Sequence, residues 1–187
     1  MDIKIGAVRY TPRTSAEKVA KIESKEGPGT SPFENQLRIC GVHRWNCRSN
    51  DDDKQWFRET EGKDPGRTMS RAQLRDALKD FTQHPGGAEF TSAVLSAILR
   101  DVGGLAEVLA SQRILEEFSF TSTSVLLYYD ASGDGVDTVR AGARLIDFAN
   151  SGARSDDKYF PDDIVKFGIG VNNLASLLEE FSVFQCV

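Results

Sequence analysis

The sequence lacks the features that define several large classes of protein. It holds only three cysteines, Cys40, Cys47 and Cys186, and a set this small and odd in number predicts no disulfide framework. No apolar run approaches the ~20 residues of a membrane-spanning helix. The first six residues contain no apolar stretch suited to a signal peptide. These absences predict an intracellular protein without a membrane span.

The chain also has no surplus of positive charge. Its 23 Lys and Arg residues stand against 28 Asp and Glu residues, which gives a net charge of −5. Proteins that bind nucleic acid without sequence preference usually carry a basic surplus, so we expect no nucleic-acid partner. The hydrophobic content of 40% over 187 residues is sufficient for a core of ordinary size. We therefore predict one domain over residues 1–187.

The first half of the chain predicts strands and helices in alternation. Ile3 and Ile5 alternate with Lys4, which indicates an opening strand that continues through Val8 and Tyr10. The later patterns predict a helix over 15–25, strands over 37–45 and 55–58, a helix around 70–81 and a long helix over 89–117.

The second half of the chain predicts a hairpin and a final helix. Residues 125–129 form a continuous apolar run, typical of a strand buried on both faces. A turn over 130–135 follows, and a second strand ends at residue 146. Apolar residues at 171, 174, 177, 178 and 181 predict the core face of a last helix. This order of elements predicts an α+β fold, in which helices flank an antiparallel sheet.

Two segments resemble metal sites only in part. The loop that begins at Asp130 matches the first positions of a calcium-binding EF-hand loop, but Ala141 stands where a bidentate Glu is needed. Cys40, His43 and Cys47 suggest zinc ligands, yet no fourth ligand has the required spacing. We expect a hairpin turn in the first segment and structural residues in the second.

Two strands carry side chains suited to phosphate chemistry. Asp147 follows an apolar strand, where a carboxylate can hold Mg²⁺ against nucleotide phosphates, although strands also end in Asp at ordinary turns. Asp2 and Lys4 lie on one face of the first strand, so a carboxylate and an ammonium can address the same pocket. The next helix places three more lysines on one face, as a basic site or as a solvated surface: Lys18, Lys21 and Lys25.

Taken together, these segments resemble the inositol polyphosphate kinase family, which comprises the inositol polyphosphate multikinases, the inositol hexakisphosphate kinases and the inositol trisphosphate 3-kinases. Residues 2–6 (D-I-K-I-G) are similar to the second half of the family signature P-x-x-x-D-x-K-x-G, and 15–21 resemble the basic helix after it. Four later segments are similar to family motifs in the same order: 37–42 to R-[IV]-x-G-[MV], 122–127 to S-S-S-L-L, 144–149 to R-[ML]-I-D-F-A and 167–174 to F-G-L-x-N-L.

The resemblance implies a role for each candidate residue. Asp2 would be the catalytic carboxylate directed toward the attacking inositol hydroxyl, and Lys4 would bind the substrate or the transferring phosphate. Asp147 would hold the metal and with it the nucleotide, and Ser124 would assist at that metal. The implied substrate-binding lysines are Lys18, Lys21 and Lys25. The implied cofactor is Mg²⁺, and the implied partners are ATP and an inositol polyphosphate, in the cytoplasm or the nucleus.

The chain departs from the family pattern in two places. Asn150 stands where the family usually has a His near the substrate, and an amide cannot carry charge. The first half of the signature does not precede Asp2, so the resemblance implies the C-terminal, substrate-binding lobe, with the N-terminal ATP lobe largely absent. The expected function is ATP-dependent phosphoryl transfer to an inositol polyphosphate, with the isolated chain inactive through truncation. The alternatives are a non-catalytic inositol-phosphate-binding or regulatory fragment, and an incomplete gene prediction.

Overall fold

The computed structural model describes residues 1–6, 10–45, 56–58, 65–84, 86–111, 113–130, 135–153 and 162–182. These residues contain eight strands, seven α-helices and two short 3-10 helices. The strands are β1 (Asp2–Ile5), β2 (Leu37–Gly41), β3 (His43–Trp45), β4 (Trp56–Arg58), β5 (Phe118–Phe120), β6 (Ser124–Tyr129), β7 (Ala141–Ile146) and β8 (Ser151–Ala153). The helices are α1 (Ala16–Glu23), α2 (Ser31–Asn35), α3 (Pro65–Thr68), α4 (Arg71–Thr82), α5 (Ala88–Ser111), α6 (Ile114–Glu117) and α7 (Asp162–Ser182).

A four-stranded antiparallel sheet with the order β2-β1-β6-β7 forms the centre of this arrangement. The opening strand therefore lies between two strands that come later in the chain. Two short antiparallel pairs, β3 with β4 and β5 with β8, lie outside the central sheet. The predicted α+β class, with an antiparallel sheet flanked by helices, is confirmed.

One face of the central sheet is buried under the long helices α5 and α7. Ile3 and Ile5 of β1 alternate with the partly exposed Asp2 and Lys4, so the strand period sends its apolar residues into the core. The five apolar positions predicted for the core face of the last helix are all buried in α7: Val171, Leu174, Leu177, Leu178 and Phe181. Burial of this apolar face stabilises the packing of α7.

A capping box fixes where α4 begins, and a glycine in α7 allows that helix to pack closely. Ser70 accepts a hydrogen bond from the Gln73 backbone N–H, and the Gln73 side chain accepts one from the Ser70 N–H, which is a capping box at the start of α4. Gly170 of α7 lies so close to β1 that a Cβ there would collide with the Gln36 carbonyl oxygen and reach 2.7 Å from Cγ2 of Ile5. A glycine at this position therefore allows α7 to approach the sheet.

The prediction of one long helix over 89–117 is wrong for its last residues. Helix α5 ends at Ser111, and Arg113 adopts a left-handed conformation with φ 53° before the short helix α6 begins. No Gly or Pro marks the break in the sequence, so local pattern gave no signal for it. The break allows Phe118 to enter β5, which pairs with β8.

The prediction that β6 is buried on both faces is wrong for much of that strand. Val125 and Leu127 are fully buried on the core side, but Leu126 and Tyr128 on the other side are half-buried. Leu126 and Tyr128 lie on the side of the sheet that also carries Lys4. The continuous apolar run in the sequence therefore does not indicate a second core on that side.

Several predicted features fall outside the described residues. They are the strand continuation at Val8, the turn residues 49–53 and 131–134, and the cysteines Cys47 and Cys186. Tyr10 is described and lies in no strand. Among the helices that are described, none combines the length and the apolar character that crossing a bilayer requires.

Candidate functional site

Lys4 occupies the centre of the candidate site, on the face of the sheet that points away from the helical core. Its ammonium donates to the Ser122 carbonyl at 2.8 Å, to the Ser124 hydroxyl at 3.1 Å and to Oδ2 of Asp147 at 2.8 Å. An ammonium has three N–H donors, so all three are engaged. These contacts connect the first strand with the beginning of β6 and the end of β7.

The sheet register explains why Asp147 reaches Lys4. Lys4 lies directly opposite Ser124 on β6, and Ser124 lies opposite Ile146 on β7. Asp147 follows Ile146 and takes a left-handed conformation with φ 66°, which turns the chain over the end of β7. Ser122 is left-handed as well, with φ 60°. Lys4 therefore binds two residues whose backbone conformations are uncommon for residues other than glycine.

Ser124 and Asp147 differ sharply in their access to solvent. Ser124 is completely buried, and its hydroxyl accepts the hydrogen bond from Lys4. The Asp147 side chain is 54% exposed, against 19% for Lys4. A ligand can therefore approach the Asp147 carboxylate directly, whereas the Ser124 side chain is not accessible from solvent.

Asp2 lies on the same face of β1 as Lys4, two residues away. That spacing along a strand corresponds to about 6.5–7 Å between the two Cα atoms. The residue is opposite Leu126 on one side and Gly41 on the other, and the register shifts between Asp2 and Ile3. Oδ1 of Asp2 is buried and has no hydrogen-bond partner among the described residues. An unsatisfied buried carboxylate oxygen is uncommon and suits a group that accepts a proton or a hydrogen bond from a ligand.

The lysine cavity is a second feature, formed by α1 and α3. Its volume is about 830 Å³, and its lining is Ser15, Glu17, Lys18, Lys21, Ile22, Lys25 and Arg67. Ser15 caps α1 by accepting from the Lys18 N–H, which fixes the start of the helix that presents the lysines. Lys25 lies two residues beyond the end of α1 but still lines the cavity. The cavity therefore brings together three of the four lysines predicted for substrate binding, and Lys4 lies outside its lining.

A row of charged residues joins Lys4 to the lysine cavity. Arg38 of β2 lies directly opposite Lys4 and points to the same face of the sheet. Arg38 donates to Oε1 of Glu26 at 2.8 Å, and Nε of Arg67 lies 3.4 Å from the same oxygen. The lysine cavity and the Lys4–Asp147 pair are thus connected through two arginines and one carboxylate.

Sequence reasoning missed Arg67 as a member of this site. The residue is far from Lys25 along the chain and belongs to a helix of only four residues, so no spacing connected it with the lysines. The one local signal is Gly66 beside it, because a Cβ at Gly66 would collide with the Ile39 carbonyl oxygen on β2. Glycine at this position allows α3 to lie against β2, and Arg67 then reaches Glu26.

Asp101 of α5 holds the strand that ends at Asp147. Its Oδ2 accepts from the Ala143 backbone N–H at 3.1 Å and from the Arg144 guanidinium at 2.8 Å. Partial burial acts to raise the pKa of Asp101, but these two donors outweigh it and hold the pKa below its ordinary value. Gly142 permits the contact, because a Cβ there would collide with the Asp101 carboxylate.

The comparison of the sequence with protein families decides the identity of this arrangement. The sequence model of the inositol polyphosphate kinase family matches residues 1–179. The chain belongs to the inositol polyphosphate kinase family. Membership supports an inositol phosphate kinase activity and favours it over a non-catalytic role. Among curated protein sequences, none matches the chain significantly.

Two solved structures of inositol phosphate multikinases share the fold. The first, from a structural and engineering study of inositol phosphate multikinase, is 20% identical with a TM-score of 0.68 and aligns 97% of this chain with 78% of its own. The second, Ipk2 from S. cerevisiae in complex with ADP and Mn²⁺, is 20% identical with a TM-score of 0.73 and aligns 96% of this chain with 76% of its own. Both show that the chain has the inositol polyphosphate kinase fold.

Within the described residues, the metal ligands that the family resemblance predicts, Asp147 and Ser124, belong to no larger cluster of metal-binding side chains. No cluster of three or more His, Cys, Asp or Glu side chains occurs in the described part of the chain. Mg²⁺ is usually bound by one or two carboxylates together with phosphate oxygens and water, so the exposed oxygen donors of Asp147 fit that ion. Ser124 fits less well, because its buried hydroxyl already accepts from the cationic Lys4. Asn150, at the position where the family usually has His, is exposed in the turn that follows Asp147.

Proposed function

We propose that this protein is an ATP-dependent inositol polyphosphate kinase that transfers the γ-phosphoryl group of ATP to a hydroxyl or phosphate group of an inositol phosphate. The observation that carries the proposal is the convergence of Lys4, Ser124 and Asp147 on the same side of the sheet as Asp2. Phosphoryl transfer depends mainly on positioning and on neutralising charge, and these residues supply a carboxylate, an ammonium and a metal ligand.

Asp2 is proposed as the residue that orients the attacking hydroxyl. Its Oδ1 is buried and has no hydrogen-bond partner among the residues that the structure describes. This atom can accept the proton of the attacking hydroxyl, while the hydroxyl oxygen bonds to the γ-phosphorus and the bond from phosphorus to the leaving ADP breaks. Asp147 would hold Mg²⁺, which neutralises phosphate charge when bound, in keeping with the divalent ion and ADP named for the yeast structure. Each role follows the family resemblance and agrees with where the side chain lies.

Lys4 is proposed to contact the transferring phosphate by exchanging one of its three acceptors. Losing the Ser122 carbonyl or the buried Ser124 hydroxyl would leave a polar group without a partner, which costs about 1–3 kcal/mol. The Asp147 carboxylate is half-exposed and can be solvated, so its contact with Lys4 is worth at most about 1 kcal/mol. Asp147 is therefore the acceptor that a phosphate oxygen would replace.

The lysine cavity is proposed to bind the phosphates of the inositol substrate. Four cationic side chains and one carboxylate, that of Glu17, line the cavity. The protein therefore has a locally positive surface although its net charge is −5. A polyphosphate is the class of small molecule that such a surface attracts. Location in the cytoplasm or the nucleus stays a prediction of the family resemblance.

The experiment measures binding and transfer separately, because the expected low activity of the isolated chain also stays a prediction. Calorimetric titration with inositol tris-, tetrakis- and hexakisphosphate reports binding, and labelled ATP with Mg²⁺ reports transfer. The assays compare this 187-residue chain with a chain extended at its N-terminus, and Asp147→Asn with the control Asp76→Asn on the exposed surface of α4. Transfer that Asp147→Asn abolishes supports the proposal. Binding without transfer in both chains would favour a regulatory protein, and no binding at low salt would overturn the proposal.

A further inference from the structure

Arg67 differs from the three lysines of the cavity in how firmly it is held. Lys18 and Lys21 extend from α1, which has no buried residue, Lys25 follows two residues after that helix, and all three are exposed. The Arg67 side chain is 17% exposed and forms an ion pair with Glu26, which is itself only 4% exposed. The cavity is therefore lined by one largely buried cation and three exposed ones.

Glu26 is the residue that positions Arg67. Its Oε1 accepts a hydrogen bond from Nη1 of Arg38 at 2.8 Å and makes a longer ion-pair contact, 3.4 Å, with Nε of Arg67. Arg38 is held in the central sheet beside Lys4, so Glu26 ties the orientation of Arg67 to the sheet. Gly66 completes this support, because it allows α3 to lie against the Ile39 carbonyl.

A guanidinium held in this way can bind phosphates selectively according to their position. It is planar, always charged and carries five N–H donors, so it can bind a carboxylate along one edge and a phosphate along another. Binding of phosphate by two parallel N–H groups demands a defined orientation. A lysine ammonium on a flexible stem supplies charge with little directional demand.

We propose that Arg67, positioned by Glu26, is the specificity-determining residue of the lysine cavity, and that it discriminates between inositol phosphates of equal charge by the ring positions of their phosphates. This inference rests on the proposed function. The three lysines supply attraction that depends on the number of phosphates, and Arg67 supplies selection that depends on where they are.

The test measures the dissociation constants of several inositol tetrakisphosphate isomers, which share one charge, for the wild type and four variants. The wild type is expected to separate the isomers by at least about tenfold, the effect of one well-placed charged hydrogen bond. Arg67→Lys keeps the charge and is expected to reduce that spread to about threefold or less, since the directional donors are lost. Lys18→Met and Lys21→Met are expected to weaken all isomers by a similar factor and leave the spread unchanged. Arg71→Lys on α4 is the matched control, because it makes the same substitution at an exposed arginine that pairs with Glu180.

The outcomes separate this inference from the proposed function. Absence of any inositol phosphate binding by the wild type would overturn both. Binding with no preference among isomers, or an unchanged preference in a folded Arg67→Lys, would overturn only the role of Arg67.

A second measurement needs no variant and covers the case in which Arg67→Lys does not fold. Raising the salt concentration should weaken every isomer, because the lysines are exposed and screened. The ratio between isomers should persist, because Arg67 is largely buried. A ratio that falls to unity together with affinity would show that the lysines alone determine binding.

Discussion

Lys4 and Asp147 are in direct contact, with 2.8 Å between Nζ and Oδ2, although 143 positions separate them in the chain. The contact exists because β6 lies between β1 and β7, and places Ser124 opposite Lys4 on one side and Ile146 on the other. It brings the two family motifs at the beginning and near the end of the chain to one place. Three predictions concern this site and its lysines, and two concern the scaffold behind it.

Replacing Lys4 by Met should lower stability as well as activity. The substitution keeps an unbranched side chain but removes the ammonium, which leaves the Ser122 carbonyl and the buried Ser124 hydroxyl without this donor. We expect a loss of about 1–3 kcal/mol in the free energy of unfolding, measured by urea denaturation. Lys79→Met on the exposed side of α4 is the control and should change stability by less than about 0.5 kcal/mol. Equal stability of the two variants would mean that Lys4 has no structural role.

Replacing Asp147 by Asn should lower activity strongly and stability only slightly. The ion pair with Lys4 is half-exposed, so its loss should change the free energy of unfolding by less than about 1 kcal/mol. Phosphoryl transfer should fall by about 10²-fold or more, because one charged group at the transferring phosphate is removed. Urea unfolding and labelled-ATP transfer are measured on the same preparation, in whichever of the 187-residue and N-terminally extended chains transfers phosphate. A stable Asp147→Asn variant with normal turnover would exclude Asp147 as a metal ligand.

Removing lysines from the cavity should reduce both affinity and its dependence on salt. Lys18→Met or Lys21→Met should weaken inositol hexakisphosphate binding by about three- to tenfold at low salt, since each removes a partly exposed charge–phosphate contact. Calorimetry at two salt concentrations should give a shallower salt dependence for each variant than for the wild type. Lys79→Met serves again as the control and should leave both quantities unchanged. A salt dependence equal to the wild type in both cavity variants would place the ligand elsewhere.

Two glycine-to-alanine substitutions should separate packing from helix propensity. Alanine gains about 1 kcal/mol over glycine in a helix, and Gly103 of α5 has open space around it, so Gly103→Ala should stabilise the protein. Gly170→Ala makes the same change where α7 meets Gln36 and Ile5, and overpacking there should cost about 1–3 kcal/mol. Thermal unfolding of the two variants should therefore shift in opposite directions. Stabilisation by both would show that α7 is not tightly packed on β1.

The hydrogen bonds of Asp101 predict a dependence of stability on pH. The folded state holds the pKa of this carboxyl below the ordinary value of 3.8 that it regains on unfolding. The stabilisation is therefore complete above the unfolded pKa and disappears as the pH falls through the lower, folded pKa. Asp101→Asn should lower the free energy of unfolding by about 1 kcal/mol at neutral pH and lose less stability than the wild type between about pH 5 and pH 3.

Asp76→Asn is the matched control for that experiment. Asp76 is 64% exposed and pairs only with its neighbour Arg75 among the ion pairs of the described residues, so its substitution should leave the pH dependence unchanged. Parallel acid unfolding curves for the wild type and Asp101→Asn would contradict the contribution of Asp101.

Much of the fold could be read from local sequence pattern. Strand and helix periodicity located β1, α4, β6 and α7, because an amphipathic element must place its apolar residues on one face. The helix predicted around 70–81 is present as α4, and the structure adds a capping box between Ser70 and Gln73 at its start. The order of motifs indicated the family, since each one occupies a short continuous segment. Patterns of this kind are local, so they can be recognised without knowing which residues pack against them.

Other features depended on contacts between distant parts of the chain. The break at Arg113 has no Gly or Pro, and arises where α5 gives way to a strand that pairs with β8. The half-exposed second face of β6 follows from what covers the sheet, which an apolar run cannot report.

The sequence by itself determined which chemical groups this protein has to work with: the carboxylates of Asp2 and Asp147, the ammonium of Lys4 and the lysines of α1. Only the tertiary structure decided how they are used. Antiparallel pairing across β1, β6 and β7 engages all three donors of Lys4, and packing of Gly66 on β2 places Arg67 beside Glu26. The physical reason is that hydrogen bonds and ion pairs depend on distances of a few ångströms between side chains, and chain closure, rather than local pattern, sets those distances.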